Sequence, residues 1–61
     1  MDQYDVKRLG LIFAVQAEIE GMKAENIERE SNGLSLAYTM EEFTSKSDEL
    51  YNLVHTHNEN L

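Results

Sequence analysis

The tightest constraint on this chain is its punctuation: its 61 residues contain no proline, and the one strong turn signal, Ser31-Asn32-Gly33, stands near the middle. Without proline, helices can run unbroken on both sides of that signal. Asn and Gly are the residues most at ease in the left-handed conformation that closes a helix. The chain therefore reads as all-α: helix 1 over about residues 3–30, a turn over 31–38 and helix 2 over about 39–57, one antiparallel two-helix hairpin domain spanning 1–61.

Local chemistry supports those ends. The Asp2 carboxylate can accept from the free amides of the first turn, with Asp5 adding a favourable charge at the positive end of the helix dipole. Helix 2 has candidate starts at Ser35 and at Thr39; the second is followed three residues later by Glu42, a Thr-x-x-Glu capping box. Glu25 with Arg29, and Glu42 with Lys46, have the i,i+4 spacing and orientation of favourable pairs. Leu34, Leu36 and Tyr38 alternate with small residues, but no second alternating segment exists to pair with them, so an extended connection or an early helical turn is expected. The ends at Met1 and around Asn58 to Leu61 are expected to fray.

Stepped at about 100° per residue, the apolar positions of helix 1 form two groups. The first is Tyr4, Leu11, Ile12, Val15, Ile19 and Met22; the second is Val6, Leu9, Phe13, Ala17, Ala24 and Ile27. Gly10, Ala14 and Gly21 lie between them at one edge, where a close helix contact would account for the glycines. In helix 2, Met40, Phe43, Ser47, Leu50 and Val54 recur at alternating steps of three and four, with Leu36, His57 and Leu61 on the same line. Glu41, Asp48 and Glu59 lie opposite, so helix 2 has one dry side, expected to face helix 1.

A single partner helix cannot cover both apolar groups of helix 1. A chain this short also has little else to stabilise it, because ordering costs roughly 1.5 kcal/mol per residue against about 25 cal/mol per Å² of apolar area buried. With no cysteine there is no disulfide to help. These facts predict a homodimer in which two hairpins make a four-helix bundle, with Tyr4, Leu11, Val15, Ile19 and Met22 as the candidate exposed or interchain surface.

Twelve acidic residues against five basic ones give a net charge of −7, and Lys7, Arg8, Lys23, Arg29 and Lys46 are too scattered to follow a phosphate backbone or an anionic bilayer. Direct binding to nucleic acid or membrane is not expected. Leu9 to Val15 after Lys7 and Arg8 imitates a leader, but Asp2 and Asp5 spoil the basic segment and the apolar run is minimal. No stretch approaches the roughly 20 apolar residues that span a bilayer. A cytoplasmic protein is expected.

No catalytic, cofactor or metal site is expected. His55 and His57 would point about 200° apart on a helix, leaving only His55 and Glu59 able to share an ion. No Glu-x-x-His motif accompanies the glutamates, no Gly-x-Ser-x-Gly turn or phosphate-cradling loop is present, and a bare hairpin offers no cleft. The five aromatic residues are not interleaved with Lys or Arg as a base-stacking platform would be. The expected function is a small self-associating helical protein that binds an unidentified protein partner. The alternative is an acidic decoy for the basic groove of a nucleic-acid-binding protein.

Overall fold

The computed structural model describes residues 2–61 and contains α1 (Gln3–Ser31), α2 (Met40–His55) and a short 3-10 turn (Asn58–Asn60), with the two helices packed against each other. No strand forms among the described residues, and the alternating segment before Thr39 is an extended connection. The expected fraying of Met1 lies outside the described residues.

The Asp2 carboxylate accepts from the amides of Tyr4 and Asp5, each at 2.9 Å, and so starts α1. At the other end Gly33 takes φ +73°, where an L side chain would be strained. That turn lets the Gly33 N–H donate to the Glu30 carbonyl at 3.1 Å and the Leu34 N–H to the Arg29 carbonyl at 2.8 Å, the paired closure of a glycine-terminated helix. The chain then runs back along α1, anchored by Asn26: its side-chain oxygen accepts from the Ala37 and Tyr38 amides at 3.1 and 3.0 Å, and its amide donates to the Tyr38 carbonyl at 2.9 Å.

Thr39 starts α2, and its amide donates to the Glu42 carboxylate at 2.8 Å while its hydroxyl donates to the same oxygen. Glu42 is thereby committed, and the expected Glu42–Lys46 pair does not form. Lys46 meets Glu18 across the hairpin, and Glu49 at 3.3 Å. Glu25 and Arg29 do pair, at 2.9 Å. α2 ends at His55, two residues short of the expected 57. Its final carbonyls find other donors: the Thr56 hydroxyl serves Asn52, and the Arg8 guanidinium serves Leu53 while also donating to Asn58 Oδ1 at 2.6 Å. Arg8 thus places a cation at the negative end of α2. The tail after α2 is held in the 3-10 turn, with the Asn60 N–H donating to the His57 carbonyl at 2.9 Å.

The molecule measures 47 × 19 × 11 Å, so its thickness is that of one helix, about 10–12 Å. A two-helix layer has no interior beyond the seam between its helices. Among the described residues only Val15 and Met22 are buried in that seam, with Ile12 and Ile19 on α1 and Phe43, Leu50 and Leu53 on α2 half-buried.

The facing of both helices differs from the pattern read in the sequence. On α1, Val15 and Met22 are buried and Ile19 is half-buried within the hairpin. On α2 the inner line is Phe43, Lys46, Leu50 and Leu53, while Met40 and Val54 stand 79% and 56% exposed and Ser47 and His57 face solvent. The stripe is rotated because the Lys46 methylenes lie along the seam while its ammonium reaches carboxylates at the rim, a position that a count of apolar residues alone assigns to Ser47.

Candidate functional site

The two broad sides of the layer differ in chemistry. On one side Glu18, Glu42, Ser45 and Lys46 line a shallow hollow above Met22. Here Lys46 is held in its charged form, its pKa raised by hydrogen bonds to Glu18 and then Glu49. The Glu42 carboxyl is held below its ordinary range by the Thr39 hydroxyl and then the Thr39 amide. Of the basic residues, Arg8, Lys23, Arg29 and Lys46 all contact acceptors within the hairpin.

The opposite side is more apolar. Lys23, Asn26, Ile27 and Phe43 line one mainly apolar hollow there, and Gln16, Ile19, Glu20, Lys23 and Leu50 line another of mixed character. Helical geometry extends this side along both helices. Leu9 lies eighteen residues, or about five full turns, from Ile27 and so shares its direction, with Phe13 about 40° away. On α2, Val54 lies within about 20° of Phe43, and Met40 within about 40° of Val54. Phe13 is 59% exposed and Ile27 65%, so together with Met40 and Val54 they leave the large apolar groups of this side uncovered.

The five residues expected to form one surface are divided. Val15 and Met22 are buried and Ile19 is half-buried; Leu11, at 37%, is just exposed; Tyr4 is exposed in a hollow with Thr56, His57, Asn58 and Glu59. The most exposed apolar residues of α1, Val6, Phe13 and Ile27, come instead from the second group. Arg8 and Asn26 share the direction of Val15 and Ile19 and are about five turns apart, and their side chains bond to the end of α2 and to the loop.

Gly10 and Gly21 have no intramolecular explanation, since a Cβ at either would meet nothing within 4 Å. The His55 ring lies against Tyr51 with centroids 4.3 Å apart. Among the described residues no group of three or more His, Asp or Glu side chains could hold a metal ion, and no helix is long and apolar enough to cross a membrane.

These features define a class: an α-helical hairpin one helix thick, acidic on one broad side and apolar on the other. No protein-family model, curated protein or solved structure matches the chain.

Proposed function

We propose that this chain is a self-associating protein–protein interaction module, in which two hairpins stack apolar side on apolar side as a four-helix bundle. The observation that carries this reading is the contrast between a core of Val15 and Met22 and the uncovered apolar side of Phe13, Ile27, Met40 and Val54. A chain of 61 residues gains too little from such a seam to offset the cost of ordering it, and stacking supplies the missing burial. The bundle would present its acidic sides outward, available to a further protein partner. An acidic decoy draws less support, because Lys46 stands among Glu18, Glu42 and Glu49 and interrupts any row of phosphate-like charges.

The test is mass by light scattering across a dilution series, with helicity followed by circular dichroism. A dimer that loses helicity as it dissociates supports the module. A stably helical monomer at every concentration overturns self-association.

A further inference from the structure

Building on that self-association, we infer the partner and its orientation: a second copy of this chain, stacked so that α1 lies antiparallel on the partner's α1, α2 lies on the partner's α2, and the connecting loops are at opposite ends. The area fits one such partner. The hairpin exposes 4721 Å², whereas a folded monomer of 7.0 kDa exposes about 4,000 Å². The excess, about 700 Å², is close to the roughly 800 Å² that each partner contributes to a standard interface.

Orientation follows from the narrow edges of the layer. The α1 edge carries Val6, Phe13, Ala17 and Ala24, all within about 40° of one another and turned away from α2. The α2 edge, turned away from α1, carries Glu41, Asp48 and His55. Two apolar sides can be stacked with two-fold symmetry in only two ways with helices aligned. If the loops are at the same end, each α1 lies over the partner's α2, and the apolar α1 edge runs beside Glu41 and Asp48. If the loops are at opposite ends, like lies on like, and the apolar edges adjoin each other.

The second arrangement also sets complementary residues level with one another. With the two-fold axis level with Glu18, Leu9 meets Ile27 of the partner subunit and the Gln16 amide meets the partner's Glu20, while bulky Phe13 is level with the partner's Lys23, one residue from the partner's Ala24. Met40 and Val54 are equally far from Ser47, so Met40 meets the partner's Val54 about an axis level with Ser47. Those two midpoints lie side by side in the hairpin, as the contact between Glu18 and Lys46 shows. Both axes can therefore be the same one.

The chain has no cysteine, which makes crosslinking clean. Gln16, Glu20, Ala24 and Ser47 are all exposed, so substitutions there leave the hairpin folded. Mixing Gln16→Cys with Glu20→Cys chains under mild oxidation should give an intermolecular disulfide, and mixing Gln16→Cys with Ser47→Cys should not. Ala24→Asp, which sets a charge where the two apolar α1 edges adjoin, should weaken the dimer on the order of 100-fold with helicity at high concentration retained. A dimer that links residue 16 to 47, links neither pair, or tolerates Ala24→Asp overturns this orientation while self-association stands. A monomer throughout the dilution series overturns both.

Discussion

Asn26 holds Tyr38 by both of its backbone groups, accepting from its N–H at 3.0 Å and donating to its carbonyl at 2.9 Å. One side chain in the middle of a helix thereby fixes the path of the chain immediately before Thr39, where α2 must be capped. Where the second helix begins is settled by a contact across twelve residues of sequence. Removing it should cost more than a surface hydrogen bond does: Asn26→Ala is expected to destabilise the hairpin by about 1–3 kcal/mol. Asn26→Asp keeps the acceptor and loses the donor, so its loss should be intermediate. Thermal or chemical unfolding of the two variants checks the order.

Met22 and Phe13 should behave differently on truncation. Met22 is 7% exposed in the seam, so Met22→Ala should lower stability by about 2 kcal/mol, near the low end for a core site because the layer is thin, and at every protein concentration. Phe13→Ala should reduce only the part of the stability that grows with concentration. Melting curves over a hundredfold concentration range separate the two.

The glycines should divide according to their surroundings. Gly10 and Gly21 are helical with open space around them, so alanine at either should raise stability by up to about 1 kcal/mol. Gly33 sits at φ +73°, and alanine there should lower stability by about 1–2 kcal/mol. If Gly21→Ala is destabilising in the dimer, a partner helix approaches more closely at that edge than the stacking above requires.

Acid and base should act on different contacts. The Glu42 carboxyl titrates lower in the folded chain than in the unfolded one, because the Thr39 hydroxyl and amide donate to its charged form. Its contribution is full above the ordinary carboxylate range and is lost as pH falls through the folded value. Lys46 titrates higher in the folded chain, through Glu18 and then Glu49, so its contribution is present below the ordinary lysine range and is lost as pH rises through the folded value. NMR titration of the two side chains checks both directions, and Thr39→Val should bring Glu42 back toward an ordinary carboxyl.

What could be read from the sequence alone follows how far each controlling contact reaches. The Asp2 start, the Gly33 closure and the Thr39–Glu42 cap depend on residues within a few positions of one another, and all three appear where the local pattern puts them. The facing of the helices was not legible in the same way. Both apolar groups of α1 satisfy the helical period, and Glu42 satisfies two local rules, of which only the cap forms.

The order of elements, the all-α class and the two ends of α1 were thus determined by the sequence itself, because capping and turn bonds are local and depend little on the rest of the fold. The tertiary structure alone decided which side of α1 is the seam. Arg8 reaches the end of α2, Asn26 reaches the loop, and Lys46 turns its stem inward to meet Glu18, contacts that span twelve to fifty residues and exist only once the two helices lie together. Once those groups select the Val15–Met22 side, Leu9, Phe13 and Ile27 are left outward, because a layer one helix thick can cover only one side of α1.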